Sequence, residues 1–275
     1  MSAFYEQVAT YYDGDAADFD ARYWKNPLLQ RIRQDFREEV KRHAFSNMLE
    51  IGYGSGLDLV HFGNTHPDAS ISGIDISAAM QQLARQRIAE QGLQNVTAGK
   101  GSVEDLQAVY PGAQFDMVCV FFGALNTVED LNRAAGHLWE VTAPGGKMVL
   151  SFVNRNYFAG TVIELLKLRF RAAFARYKKE WGGYSPTQHL PGRCYSPSAI
   201  RNAFSRYSLI GKKGYSIVHP AWYYHRLNKV LRRFSPLLWN ADRALNKTFL
   251  WSWGEYTLFV FKKPGGVNAT DAPPS

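Results

Sequence analysis

Three glycines flanked by acidic residues form the first group in this sequence that could hold a ligand. Gly52, Gly54 and Gly56 follow a short apolar stretch, and one residue separates each glycine from the next. Glycines let the backbone pass close to a ligand, and the N–H groups at the start of a following helix can bind it. Asp75 ends the next apolar stretch, where a carboxylate can accept hydrogen bonds from both hydroxyls of a ribose. The arrangement predicts a site for a nucleoside cofactor.

The acidic residue before the first glycine indicates which cofactor fits. The glycine spacing differs from the G-x-G-x-x-G pattern of dinucleotide-binding proteins. A carboxylate at Glu50 would repel a pyrophosphate, whereas it would attract a cofactor that carries an ammonium and a sulfonium. The sequence therefore favours S-adenosyl-L-methionine over NAD, and an NAD-dependent oxidoreductase is the less favoured alternative.

Alternating strands and helices are expected to position these residues. Short apolar strands are separated by helical segments, a pattern typical of βαβ units. We expect an α/β fold with a doubly wound, mostly parallel, seven-stranded Rossmann-like sheet and helical lid insertions. A turn at residues 144–146 should precede the fifth strand. The predicted strands are residues 47–51, 69–76, 95–99, 115–121, 147–153, 207–219 and 256–261.

The alternation of strands and helices breaks after residue 154, and this divides the chain into parts. Each of two insertions is predicted to carry an amphipathic helix. The apolar stripe of the first is Val162, Leu166, Phe170, Ala173 and Tyr177, and that of the second is Leu227, Val230, Leu231 and Phe234. The predicted parts are 1–27, an N-terminal cap over the cofactor; 28–154, the cofactor-binding core; 155–195, a basic helical lid; 196–263, the rest of the sheet with a second helical insertion at about 221–249; and 264–275, a disordered tail.

Composition is that of an ordinary globular protein. With 46% hydrophobic and 20% charged residues, wholesale disorder is excluded. The two cysteines, Cys119 and Cys194, exclude a disulfide framework, and the reducing cytoplasm is the expected compartment. We expect neither a membrane span nor a signal peptide, because no apolar run approaches roughly 20 residues and the first residues are polar. No metal site is predicted.

The net charge of +8 is distributed unevenly along the chain. Residues 1–154 carry a net charge of −7, whereas residues 155–263 carry +16. Such asymmetry points to an anionic partner for the second half, such as an acidic substrate, a membrane surface or nucleic acid. A solvated basic surface without a partner is the alternative.

Five motifs, in order along the chain, resemble those of class I S-adenosylmethionine-dependent methyltransferases. The resemblance covers residues 9–154 and extends more loosely over residues 195–263. It implies the Rossmann-like fold, and S-adenosyl-L-methionine as cofactor with S-adenosyl-L-homocysteine as product. The motifs are residues 50–56, 74–77 with Met80, 101–106, 115–126 and the turn at 144–146.

The resemblance also implies cofactor-binding positions. Asp75 would bind the ribose, and Gly52 and Gly54 would line the methionine moiety. Ser102 stands where the family often has an acidic residue, so the contact to the adenine amino group departs from the pattern. Tyr12 resembles a tyrosine that closes over the cofactor, where an aromatic face would attract the sulfonium. The complete predicted set is Tyr12, Glu50, Gly52, Tyr53, Gly54, Asp75, Ile76, Met80, Ser102, Val103, Glu104, Phe121 and Phe122.

The acceptor is expected to bind between the N-terminal segment and the two insertions. A general base is needed only for a hydroxyl or a protonated amine acceptor. The candidate bases are His189, His219 and His225, beside or within the insertions. The predicted acceptor pocket consists of Tyr11, Tyr157, Trp181, Tyr184, Trp222 and Tyr223.

These features predict methyl transfer, by in-line displacement, to a small-molecule or lipid-like acceptor that is anionic and aromatic. Basic amphipathic helices also suit peripheral contact with a membrane. An RNA methyltransferase is the alternative enzyme, disfavoured because no RNA-binding module is recognisable. A non-catalytic regulatory protein that binds S-adenosylmethionine is the alternative of another class.

Overall fold

Seven strands form one mixed sheet within residues 2–185 and 188–265, which the computed structural model describes. The strands are β1 (Asn47–Ile51), β2 (Ser70–Asp75), β3 (Val96–Lys100), β4 (Phe115–Val120), β5 (Thr142–Val153), β6 (Ser208–Tyr215) and β7 (Tyr256–Lys262). Their order is β3-β2-β1-β4-β5-β7-β6. The first five pair in parallel, whereas β7 runs antiparallel to both β5 and β6. The predicted α/β fold with a mostly parallel seven-stranded sheet is confirmed.

Helices pack on both faces of the sheet and over its edge. Capping side chains begin several of them; Ser77, for example, accepts a hydrogen bond from the backbone N–H of Met80. The helices are α1 (Ala3–Trp24), α2 (Pro27–Lys41), α3 (Leu57–Thr65), α4 (Ala78–Glu90), α5 (Leu106–Val109), α6 (Leu131–Val141), α7 (Phe158–Leu166), α8 (Phe170–Ala173), α9 (Pro197–Ala203), α10 (His225–Val230) and α11 (Ser235–Leu245). Short 3₁₀ turns span Val103–Asp105, Ala124–Thr127, Ala175–Tyr177, Leu231–Phe234 and Phe249–Trp253.

The two faces of the sheet bury separate apolar clusters. Alternate residues of a strand point to opposite faces, so Met48 of β1 joins one cluster and Leu49 joins the other. The first cluster includes Phe36 of α2 and Phe62 of α3. The second includes Leu138 of α6. Because both faces are covered, the site must lie at an end of the strands.

The fifth strand begins earlier than the sequence predicts. The turn expected at residues 144–146 lies inside β5 as a bulge, because Phe115 pairs with Thr142 and Met117 pairs with Lys147. Gly145 adopts φ +76° there, a conformation that glycine reaches without strain. The sixth strand is shorter than expected, since it ends at Tyr215 and Ser216 turns away with φ +55°.

The prediction of one long amphipathic helix in the first insertion is wrong. The chain leaves α7 at Leu168, which has φ +58°, and a new helix begins at Phe170. Two hydrogen bonds close the end of α7 as a Schellman motif, from the N–H of Leu168 to the carbonyl of Leu165 and from the N–H of Arg169 to that of Glu164. The motif normally uses glycine, and since position 168 is a leucine, no residue there marks the end of the helix.

The predicted apolar stripes are also largely unburied. Of the first stripe, Leu166 and Phe170 are exposed and Ala173 is buried; of the second, Val230 and Phe234 are exposed. In the part of the chain that the structure describes, no helix is long and apolar enough to cross a bilayer. The tail predicted at 264–275 lies outside the described residues from position 266 onward.

Replacing Leu168 by glycine should stabilise the fold. A left-handed backbone costs a non-glycine residue roughly 1–2 kcal/mol, and the greater freedom of glycine in the unfolded chain offsets part of the gain. We expect Leu168→Gly to raise the free energy of unfolding in urea by about 0.5–1 kcal/mol. The matched Leu166→Gly, inside α7, should lower it by about 1 kcal/mol. Equal destabilisation by both would contradict the assignment.

Candidate active site

Asp75 lies at the carboxyl end of β2 and ties two loops together. Its Oδ2 accepts a hydrogen bond from the backbone N–H of Gly54 at 2.8 Å, and its Oδ1 accepts one from that of Ser77 at 2.9 Å. Burial raises the pKa of Asp75 to about 6, although these two N–H groups oppose the shift and Asp13 adds to it. The carboxylate therefore lies between the two loops, at the position where the sequence predicted that a ribose binds.

The glycine-rich turn after β1 leaves no room for side chains. Gly52 has φ +69°, and a Cβ there would lie 2.4 Å from the Cβ of Ala124. Gly54 has φ +56°, and its Cβ would approach the ring of Phe19 to 3.2 Å. Both glycines are thus required by backbone conformation and by close approach. The result is an open backbone cradle in front of α3.

A first cavity of about 140 Å³ occupies this cradle. Ten of the predicted cofactor residues line it: Tyr12, Gly52, Gly54, Asp75, Ile76, Met80, Ser102, Val103, Phe121 and Phe122. Tyr5, Val8 and Phe19 also line this cavity, although they were not among the residues predicted from the sequence. Together with Tyr12 they lie on α1 at helical spacing. This stripe is the sequence signal that could have identified them.

Glu50 does not line this cavity but lies directly beneath the cradle. Its side chain is buried, and within the described residues its Oε2 has no hydrogen-bond partner. Burial raises the pKa of Glu50 well above its usual range, and nearby Asp58 adds to this effect, whereas Arg33 and Arg37 oppose it. An unpaired buried carboxyl oxygen is costly, so a cationic or hydrogen-bond-donating group is the complement that it lacks.

Two other predicted cofactor residues, Tyr53 and Glu104, also lie outside the cavity lining. The hydroxyl of Tyr53 donates to the carbonyl of Gly99 at 2.8 Å. Glu104 accepts from the hydroxyl of Tyr5 at 3.2 Å and lies 3.4 Å from the guanidinium of Arg133. In this structure both side chains brace the walls of the site.

Helix α1 covers the first cavity and is held there by polar contacts. Asp13 accepts hydrogen bonds from the hydroxyl of Ser77 at 2.6 Å and from the N–H of Ala79 at 3.0 Å. About two turns later, Asp20 pairs with Arg87 of α4 and accepts from the hydroxyl of Ser55. These carboxylates anchor the helix to the loops that carry the glycines and Asp75.

A second cavity of about 630 Å³ adjoins the first. Tyr12, Phe19, Phe122 and Thr127 line both, so these four side chains form the boundary. Phe122 adopts φ +52°, a strained backbone that often marks a functional position. Among the predicted acceptor residues and bases, the second cavity is lined by Tyr11, Trp181, Tyr184, Trp222, Tyr223 and His225.

Three further predicted residues lie away from this cavity. Tyr157 is buried, and its hydroxyl accepts from the N–H of Ala221 at 3.0 Å. His189 is exposed and pairs with Glu180. His219 is buried, and its ring nitrogens lie 2.9 Å from the carbonyl of Pro220 and 3.0 Å from the hydroxyl of Ser235.

Arg33 is a charged residue of the second cavity that sequence analysis missed. Its side chain is buried and pairs with Asp58, and its guanidinium lies 4.8 Å from the ring centre of Phe122. Its Nε has no hydrogen-bond partner in the described chain. Leu29, one helical turn earlier, lines the same cavity. A charged residue within the apolar face of α2 was therefore the sequence signal that could have identified Arg33. Arg33 thus places a guanidinium that is paired with Asp58 in the wall of the second cavity.

A buried ion pair fastens the first insertion to the sheet. Arg176 contacts Glu255 at 2.7 Å and donates to the carbonyl of Asn154 at 2.8 Å. The hydroxyls of Tyr184 and Tyr223 also donate to Glu255. Because both tyrosines line the second cavity, this cluster fixes the position of its far wall.

Comparison with known proteins agrees with this architecture. Residues 48–146 match a family model described as a methyltransferase domain. A demethylmenaquinone methyltransferase from Deinococcus radiodurans is 30% identical over 112 residues, which are 41% of this chain and 45% of that protein. A ubiquinone biosynthesis O-methyltransferase from Azoarcus sp. is 32% identical over 144 residues, 52% of this chain and 58% of that protein. The chain spans about half the length of these relatives.

A solved structure shares the fold over nearly the whole chain. The DhpI–SAH complex superposes with a TM-score of 0.57 at 17% identity, covering 97% of this chain and 100% of that one. At this identity the likeness concerns the fold alone. The likeness therefore supports the arrangement of the sheet and its flanking helices.

Removing the Asp13 carboxylate should loosen α1 from the site. Asp13→Ala loses the hydrogen bonds to Ser77 and Ala79, and we expect the docking of α1 to weaken by about 1–2 kcal/mol. Hydrogen exchange of the α1 amides should accelerate accordingly. Asp18, exposed on the same helix, provides the matched control, and Asp18→Ala should leave exchange unchanged. Equal exchange in both variants would refute the anchoring role.

Proposed function

We propose that residues 48–146, which match a methyltransferase domain, form the class I, Rossmann-like type of that domain, and that the chain transfers a methyl group from S-adenosyl-L-methionine to a small-molecule acceptor. The observation that carries the proposal is the pair of adjoining cavities at the carboxyl ends of the strands. The first suits the cofactor and the second the acceptor, and they meet at Tyr12 and Phe122.

The residues of the first cavity fit this cofactor. Asp75 has carboxylate oxygens for the ribose hydroxyls, and the cradle at Gly52 and Gly54 admits the methionine moiety. Glu50 lies outside the cavity lining, and its buried, unpartnered oxygen is our candidate partner for the cofactor's ammonium. Val103 and Met80, both buried and both lining the cavity, supply apolar surfaces for the adenine.

The chain's own residues supply alignment, charge complementarity and exclusion of water. When bound, the cofactor supplies a methyl group already activated on a sulfonium. Tyr12, Phe19 and Phe122 present aromatic surfaces at the boundary of the cavities, which favour positive charge and exclude water. Holding two reactants in line can lower a barrier by about 7–11 kcal/mol. His225 lines the second cavity and is our candidate to take a proton from a hydroxyl acceptor.

The acceptor is an aromatic, lipid-like molecule with an anionic or carbonyl group. The walls at Trp181, Tyr184 and Trp222 suit an aromatic ring, and the Arg33 guanidinium brings positive charge to the wall of the same cavity. Two relatives are named as a demethylmenaquinone methyltransferase and a ubiquinone biosynthesis O-methyltransferase, which supports a quinone-like acceptor.

Asp75 should be required for cofactor affinity. Asp75→Ala removes the ribose acceptor and the bond to the N–H of Gly54, so we expect binding of S-adenosylmethionine in calorimetry to weaken at least tenfold (about 1.4 kcal/mol). Asp68, an exposed acid before β2, is the control, and Asp68→Ala should bind normally. Unchanged affinity in Asp75→Ala would remove this residue from the site.

The same carboxyl should make affinity depend on pH. Because the pKa of Asp75 is raised to about 6, the ionised acceptor prevails above that pH and the protonated form below it. Affinity for the cofactor should therefore fall as pH decreases through about 6 in the unaltered protein, and the Asp75→Ala variant should lack this fall. The same fall in both proteins would assign it to another group.

Methyl transfer can be tested with labelled S-adenosylmethionine on cell extract separated into RNA, lipid and small-molecule fractions. We expect label in the lipid or small-molecule fraction. Trp181→Ala alters the second cavity alone, so it should raise the KM for the acceptor about tenfold and leave cofactor affinity unchanged. Label in RNA alone would favour an RNA methyltransferase. Tight cofactor binding without transfer to any fraction would favour a regulatory protein.

A further inference from the structure

The exposed large apolar side chains of this protein are concentrated in the two insertions. Eleven of the 14 found in the described residues lie there, and Leu166 is 79% exposed and Val230 76%. Scattered exposed apolar residues are normal, whereas a concentration marks an interaction site. We call this set the lid surface: Phe158, Val162, Leu166, Leu168, Phe170, Phe174, Tyr177, Val230, Phe234, Leu237 and Phe249.

Ring contacts join the two halves of the lid surface. The rings of Phe158 and Trp253 are 4.9 Å apart, and that of Trp253 is 5.8 Å from Phe249. At the other end of α7, the Nζ of Lys167 lies 4.4 Å from the ring centre of Tyr224. The exposed apolar groups of the two insertions therefore lie next to each other in the folded chain.

Exposed basic side chains surround these apolar groups. The acids of the insertions are mostly compensated: Glu164 pairs with Lys167 at 3.1 Å, Glu180 pairs with His189, and Asp242 is buried. The exposed bases of the two insertions are Arg155, Lys167, Arg169, Arg171, Lys178, Lys179, Arg193, Arg226, Lys229, Arg232, Arg233, Arg243 and Lys247. The positive charge of this half of the chain is thus presented around an apolar surface.

We propose that the lid surface binds a bilayer that contains anionic lipids. Apolar side chains would enter the acyl boundary while lysine and arginine heads stay among the phosphates. A second copy of the chain is a poor occupant, because two strongly positive surfaces repel each other. RNA is a poorer occupant than a bilayer: the aromatic members of the lid surface can stack on bases, but its five aliphatic members cannot, and these are buried favourably only in an apolar phase.

The backbone at Leu168 supports a functional role for this surface. Leu168 is 76% exposed and has φ +58°, in a motif where glycine would be unstrained. A large apolar side chain is therefore kept at a position where neither packing nor backbone preference favours it. Strain of this kind persists where function requires it.

The lid surface lies beside the second cavity. Trp222, Tyr223 and His225 line that cavity, and Tyr224, between them, contacts Lys167 of the first insertion. The wall of the acceptor cavity and the bilayer-binding surface are thus parts of one segment. If the proposed methyl transfer holds, on which this last step rests, a lipid-like acceptor enters the cavity directly from the bilayer.

Vesicle flotation tests the surface without any assumption about catalysis. The full chain should float with vesicles of phosphatidylcholine and phosphatidylglycerol, and at least tenfold less with phosphatidylcholine alone. Leu166→Asn/Val230→Asn and Lys229→Glu/Arg233→Glu should each reduce flotation at least tenfold. Ile210→Asn alters an exposed apolar residue of β6 and should float normally. Leu168→Gly should reduce flotation while leaving the fold intact, which separates a surface effect from unfolding.

Other results would overturn the surface and leave the proposed function standing. No flotation, or equal flotation of all variants, contradicts it. Binding of tRNA that Leu166→Asn/Val230→Asn weakens tenfold would assign the surface to RNA, and concentration-dependent dimers lost in that variant would assign it to self-association. Calorimetry with S-adenosylmethionine should give the same affinity for every lid variant. Normal flotation combined with absent cofactor binding would instead refute the proposed function.

Discussion

The site depends on one buried carboxylate that two separate loops must satisfy. Asp75 accepts hydrogen bonds from backbone N–H groups of the turn after β1 and of the turn after β2, so displacing either loop breaks one of these bonds and leaves a buried oxygen of Asp75 without that partner. Ser77 then begins α4 and donates its hydroxyl to Asp13 of α1. A continuous chain of hydrogen bonds thus runs from the glycine cradle to the helix above it. The open edge of the sheet becomes an enclosed site through these bonds, because α1 alone has little apolar surface to hold it there: of its 22 residues, only Tyr5, Val8 and Tyr23 are buried.

Enclosure places the reacting groups at a narrow boundary. The two cavities share Tyr12, Phe19, Phe122 and Thr127, of which three are aromatic. Phe122 reaches this boundary through a left-handed backbone, and its ring lies between the cofactor cradle and the buried guanidinium of Arg33. The Asp75 carboxylate thus lies in the wall of the first cavity and the Arg33 guanidinium in the wall of the second.

Local sequence patterns predicted the strands and helices well, but they predicted poorly which distant segments these elements contact. Alternating strands and helices, and the glycines before Asp75, led to the sheet and to most of the first cavity, because these signals are set by neighbours in sequence. The roof residues Tyr5 and Phe19 and the donor Arg33 were missed, since their roles arise from contacts with distant segments. Helical spacing at Leu166 and Phe170 predicted one buried stripe, but periodicity records an apolar face and not what covers it. The break at Leu168 carried no glycine, so only hydrogen bonds in the folded chain reveal it.

The position of β7 has a consequence for synthesis on the ribosome. β7 lies between β5 and β6, so β6 emerges before the only strand it pairs with. Until residue 256 has been made, β5 presents an unpaired edge, a liability for association with other chains. Glu255, which holds Arg176 of the first insertion, is also missing at that stage. The nascent chain therefore carries an open sheet edge and an unanchored first insertion at the same moment, and the insertion of β7 closes the edge while Glu255 pairs with Arg176.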